Sequence, residues 1–150
     1  MTETLIDTGP LVAYLTRRDA HHAWAVETLS QTSPPLLTCE AVLSEATFLT
    51  ASLGGAAEPL SLVERGLIRP TFRLQDEAEA VESLLRKYAS VPMDLADACL
   101  VRMTDLHRDC VVLTLDTEFR DIYRRRGRKI IPCQLPPGAQ RRKRRGGRSS

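Results

Sequence analysis

The stretch Cys110-Val111-Val112-Leu113-Thr114-Leu115-Asp116-Thr117-Glu118-Phe119 carries the reading of the fold. Residues 110–115 form a continuous apolar run without polar alternation. That is the pattern of a strand covered on both faces, and such strands belong to parallel sheets flanked by helices. An acid, Asp116, follows at once, and in open parallel sheets the carboxyl edge of the strands is where ligands bind. The start of the chain repeats the arrangement. Glu3-Thr4-Leu5-Ile6 reads as a short strand running into Asp7-Thr8-Gly9-Pro10, where turn residues and a proline at a first helical position begin a helix through Leu15.

Between these two segments, helical and strand patterns alternate. Asp19 is expected to cap a second helix whose stripe is Trp24, Val26 and Leu29, ending near Ser33-Pro34-Pro35. Leu36-Leu37-Thr38 reads as a strand. Residues 39–53 are helical in period and stop at Gly54-Gly55. A short helix over 58–65 precedes a strand over 69–74. A periodic helix over 76–89 turns Ala80, Val81, Leu84, Leu85 and Tyr88 inward. The last long helix covers 94–107, and beyond Asp116 a short basic helix leads to Lys129-Ile130-Ile131-Pro132 as the final strand. The alternation predicts an α/β domain with a largely parallel central sheet covered on both sides. We place this domain at residues 1–135. Residues 136–150 turn to Pro, Arg, Lys, Gly and Ser and read as a basic, disordered tail.

Composition agrees with one self-sufficient domain. The chain has 150 residues, 43% hydrophobic and 27% charged, enough to bury a core without disulfides or a structural metal. No apolar run approaches the roughly 18 residues a membrane span needs, and the opening Met-Thr-Glu-Thr is unlike a signal peptide. A cytoplasmic protein is expected. Cys39, Cys99, Cys110 and Cys133 lack Cys-x-x-Cys spacing, and His21, His22 and His107 are not placed as zinc ligands. Reduced, structural cysteines follow. The net charge of +2 conceals an asymmetry: twelve Lys or Arg and one acid lie from residue 120 onward, a balance of +11, which leaves −9 on residues 1–119. An acidic body with a polyanion-seeking end points to nucleic acid.

Four acids carry the chemistry. Asp7 and Asp116 sit at predicted strand ends, where each could equally be a turn or capping residue. Glu45 lies at i+3 from Val42, among Ala46, Phe48 and Leu49, and Asp97 lies among Met93, Leu100 and Val101. Both therefore share a face with an apolar stripe, where a lone carboxylate costs several kcal/mol. A partner arginine would answer for Glu45, and the helix dipole for Asp97. Asp94 is placed to cap the helix that carries Asp97. Read jointly, the four acids predict an all-oxygen pocket. Like charges so close raise one another's pKa, and Mg²⁺ or Mn²⁺ is the usual remedy.

At these residues the sequence resembles a family. Leu5-Ile6-Asp7-Thr8-Gly9-Pro10-Leu11, Leu43-Ser44-Glu45, Met93-Asp94-Leu95-Ala96-Asp97-Ala98 and Leu113-Thr114-Leu115-Asp116-Thr117-Glu118-Phe119, in that order, look like the PIN domains. Among these they are most similar to the VapC-like toxin ribonucleases of toxin–antitoxin pairs. The resemblance implies a PIN-like three-layer α/β/α sandwich, with Asp7, Glu45, Asp97 and Asp116 as the catalytic and metal-holding quartet and Thr114 supplying a hydroxyl nearby. It also implies metal-dependent hydrolysis of RNA leaving 5′-phosphate and 3′-hydroxyl ends, and a cognate antitoxin as partner. Glu118 stands where many relatives carry a second Asp or Asn. The Arg-rich tail lies outside the family pattern.

The mechanism expected is hydrolysis by metal-activated water. Arg120, Arg124, Arg125, Arg126, Arg128 and Lys129 are candidates to hold substrate phosphates beside the metal. Apolar surface near Ala13, Tyr14, Trp24 and Phe48 serves the domain's own core or, alternatively, a homodimer or antitoxin contact. The rival from another class is a non-catalytic nucleic-acid- or protein-binding module. A phosphatase with an aspartyl nucleophile would want a second Asp where Gly9 stands. Serine-hydrolase and phosphate-loop motifs are absent.

Overall fold

The computed structural model describes residues 1–139; of the basic segment at 136–150, residues 140–150 lie outside the described residues. Five strands form the central sheet: β1 (Glu3–Ile6), β2 (Leu36–Thr38), β3 (Ile68–Pro70) and β4 (Cys110–Leu113), with an edge strand over Cys133–Gln134. In space they run β3, β2, β1, β4 and then the edge strand, and every pairing is parallel. The helices flank the sheet: α1 (Thr8–Leu15), α2 (His22–Ser30), α3 (Glu40–Ala51), α4 (Glu58–Glu64), α5 (Leu74–Lys87), α6 (Leu95–Leu106) and α7 (Glu118–Asp121). No helix of the described residues is long and apolar enough to cross a membrane.

The core follows from the strand pattern. Leu5 and Ile6 in β1, Leu36 in β2 and Val112 and Leu113 in β4 are fully buried, as expected of strands covered on both faces. Thr38 closes the end of β2 by donating its hydroxyl to the Ile6 carbonyl at 2.9 Å. Pro70 lies in β3, an edge strand, where the missing N–H costs no ladder bond. The cysteines are free, with Cys39, Cys99 and Cys110 buried.

Several expectations are corrected. The strand placed at 69–74 is Ile68–Pro70, because α5 already begins at Leu74. The final strand is not residues 129–132. Instead Lys129–Ile130 (β6) pairs antiparallel with Arg124–Arg125 (β5) in a separate hairpin, and Cys133–Gln134 (β7) joins the sheet beside β4. The hairpin turns where Arg126 and Gly127 both hold positive φ, 50° and 84°, and the Arg128 N–H donates to the Arg125 carbonyl at 3.2 Å, so that residues 126–128 link the paired Arg125 and Lys129; the second of the two positive-φ positions favours glycine. Asp19 does not cap α2 directly: its carboxylate accepts from the His21 N–H at 2.8 Å and shapes the turn before the helix. The buried stripe of α2 is Ala25, Thr28 and Leu29, and Val26 is exposed. Phe48 is 78% exposed and Leu49 46%, so neither belongs to the core.

Candidate active site

Strands β1 and β4 lie side by side with Ile6 opposite Leu113. The residues that follow, Asp7 and Asp116, therefore leave the same edge of the sheet. One hydroxyl joins them. Thr114 Oγ1 donates to Asp7 Oδ2 at 2.7 Å and accepts from the Asp116 N–H at 2.9 Å. Asp7 Oδ1 accepts from the Thr8 N–H at 2.7 Å and so caps α1. Asp7 is thus a helix cap as well as a strand-end acid. Asp116 in turn accepts from the Glu118 N–H at 2.9 Å.

The other two acids arrive on helices. Glu45, half-buried on α3, accepts from the Thr8 hydroxyl at 2.7 Å. Asp97 stands in the first turn of α6 in a capping box, where Asp94 Oδ1 accepts from the Asp97 N–H at 2.8 Å. The Asp94 N–H points back to Asp97 Oδ2 at 3.4 Å. Asp97 Oδ2 also accepts from the Tyr123 hydroxyl at 3.1 Å.

All four side chains line one cavity of about 720 Å³, together with Asp94 and Glu118. Among the described residues no Lys or Arg lines it, and its remaining wall is largely apolar, with Phe48, Leu49, Val91, Met93 and Leu115 among it. Gly9 lets α1 start against that wall, since a Cβ there would meet the Leu115 side chain at 2.9 Å. The electrostatics follow from six acids in a half-dry pocket. Burial raises the pKa of Asp7 to about 6; the bonds from Thr114 and Thr8 offset part of this, and the charges of Asp116 and Asp94 add to it. Asp97 is pushed well above the ordinary carboxylate range by burial and by the charges of Asp7, Asp94 and Asp116.

Such a site has donors that could hold a cation. Its donors are oxygens alone, which suits a hard divalent ion, and burial first, with the neighbouring acids adding to it, raises the pKa of Asp7 and Asp97. Among the described residues, no three acid, His or Cys side chains are already gathered tightly enough to cage an ion.

Of the basic residues that follow Asp116 within the fold, Arg120, Arg124, Arg125, Arg126, Arg128 and Lys129, none lines the cavity. Arg125 is buried, and its Nη2 donates to the carbonyls of Thr104, His107 and Arg108 at the end of α6. Arg120 pairs with Asp121, and Arg126 is tied to Asp105. Two residues at the site escaped the sequence reading. Thr8 was visible only as a turn residue beside Asp7, although its hydroxyl holds Glu45. Tyr123 gave no local signal, because its meeting with Asp97 is made by the tertiary fold.

Comparison with known proteins adds the following. The family model "PIN domain" matches residues 4–125. Ribonuclease VapC26 of Mycobacterium tuberculosis is 28% identical over 116 residues, which cover 75% of this chain and 85% of that protein. The crystal structure of Mycobacterium tuberculosis VapC20, described as a sarcin–ricin loop cleaving toxin, superposes with a TM-score of 0.64 at 20% identity. That match covers 73% of this chain and 87% of the VapC20 chain.

Proposed function

The chain belongs to the PIN domain family, and on that premise we propose that it is a metal-dependent ribonuclease, the toxin of a toxin–antitoxin pair. One observation carries the reading: Asp7, Glu45, Asp97 and Asp116 line one cavity from four separate parts of the fold. The likeness to VapC26, named a ribonuclease, favours RNA as the substrate class.

In this reading Asp7, Asp97 and Asp116 hold Mg²⁺ or Mn²⁺. When bound, the ion supplies Lewis acidity, lowering the pKa of water and offsetting negative charge at the scissile phosphate. Glu45, steadied by the Thr8 hydroxyl, ligates the ion or orients the attacking water. Thr114 keeps Asp7 and Asp116 at a fixed separation through its two hydrogen bonds. The apolar wall lowers the local dielectric, which strengthens each charge interaction at the reacting centre. The protein acts in the cytoplasm, where its substrate is found. The partner is an antitoxin that presents a cation, an arginine above all, to the acid-lined cavity. The exposed Phe48 and Leu49 at the cavity's rim offer it, or a second copy of this chain, an apolar contact.

The test is cleavage of total RNA by purified protein with Mg²⁺ or Mn²⁺, with the ends mapped. Wild type is expected to leave 5′-phosphates. Asp7→Ala and Asp97→Ala are expected to lose at least a hundredfold in rate while remaining folded. Variants that cut at the wild-type rate would overturn the mechanism. A wild type that binds RNA without cutting it would favour the non-catalytic module.

A further inference from the structure

Tyr123 is fully buried between two aromatic rings. Phe119 meets it edge-on at 5.1 Å between centroids and 89° between planes, and Tyr88 does so at 5.2 Å and 70°. A phenylalanine would satisfy that packing equally well. The hydroxyl therefore needs its own explanation, because burying it without a partner costs free energy. Its hydrogen-bond neighbours among the described residues are two carboxylates of the cavity, Asp97 Oδ2 at 3.1 Å and Glu118 Oε1 at 3.4 Å. The backbone makes this meeting obligatory: the Tyr123 N–H bonds to the Glu118 carbonyl at 2.8 Å, folding the segment after α7 back over Glu118.

We propose that Tyr123 is a positioning residue for the acid site, its buried hydroxyl fixing the rotamer of Asp97. The proposal rests on the nuclease reading. A phenol has one proton to donate, and the shorter distance gives it to Asp97. There it acts with the Asp94 N–H on the same oxygen, Oδ2, so the donors hold one edge of the carboxylate and present Oδ1 as the other. Groups of this kind, which grip a ligand from behind, fix its orientation and tune its affinity for a metal.

The test is Tyr123→Phe in the full chain, read by calorimetric titration with Mn²⁺, by thermal unfolding without metal and by steady-state RNA cleavage. Mn²⁺ affinity is expected to fall about tenfold and kcat to fall with it. KM for RNA and the metal-free unfolding midpoint stay near wild type, a split that a packing defect would not give. Glu118→Gln, which keeps the tyrosine, is expected to have a smaller effect on Mn²⁺ affinity. A Tyr123→Phe protein with wild-type Mn²⁺ affinity and kcat overturns the proposal while leaving the nuclease reading intact, provided Asp97→Ala abolishes both. A wild type that binds no Mn²⁺ overturns both. Should Tyr123→Phe fold poorly, the near-ultraviolet tyrosine signal of wild type decides: it is expected to change on Mn²⁺ addition and to be silent in Asp97→Ala. A silent wild type counts against the proposal.

Discussion

Asp7 is at once a cap, a strand-end acid and a buried charge, and these roles pull on its proton in different directions. Its pKa is raised from 3.8 to about 6, so between those values the folded, metal-free protein holds a proton that the unfolded chain has released. Stability of the metal-free protein therefore falls as pH rises through that window, and Asp97, shifted the same way, extends the fall to higher pH. Asp7→Asn removes the titration. Its metal-free unfolding midpoint is expected to gain on wild type steadily from pH 4 to pH 7, as measured by thermal melts in chelator; a difference that stays flat with pH would contradict this. The four acids were legible in the sequence because a carboxylate on an apolar stripe or just past a buried strand conflicts with local physics. Their supports were less so. The donation from Thr8 to Glu45 crosses 37 positions and that from Tyr123 to Asp97 crosses 26, distances over which periodicity carries no information.

At the level of elements, buried strands and amphipathic helices announced themselves by period, and β1, β2, β4 and the helices appear close to where the pattern puts them. The segment after α7 did not. Lys129-Ile130-Ile131-Pro132 has the composition of a sheet strand, yet the positive-φ turn at Arg126 and Gly127 folds its first half into a hairpin, while Ile131 is buried and the ladder to β4 resumes only at Pro132. Turn chemistry outranked hydrophobicity there. The same hairpin delivers Arg125 to the end of α6, where its guanidinium donates to the Thr104 carbonyl of the last turn and to those of His107 and Arg108 just beyond it. Arg125→Met is expected to lower stability by about 3 kcal/mol, read as a shifted urea midpoint. The cleavage rate per folded molecule should stay near wild type, because Asp97 stands at the opposite end of that helix.

Over the whole molecule the net charge of +2 is the difference between an acidic body and a basic end. The structure divides the basic share further. Arg120, Arg125 and Arg126 are engaged with the protein's own acids and carbonyls, whereas the six Lys and Arg beyond residue 140 belong to the segment outside the described residues. Ending the chain at Pro137 is expected to weaken RNA binding and to make the slope of log affinity against log salt shallower, by up to about 4 if each charge meets one phosphate of a single strand. Fluorescence-anisotropy titrations at several salt concentrations measure it, and an unchanged slope would show the tail to be a bystander. The hydrogen bond between Asp7 and Thr114 joins residues 107 positions apart, and β1, which precedes its neighbours in the chain, lies at the middle of the sheet between β2 and β4. On the nuclease reading this has a bearing on biosynthesis. A growing chain carries an incomplete set of acids and a central strand still waiting for its neighbour, so the power to cut RNA arrives only after the segment through Asp116 has been made and β4 has docked beside β1.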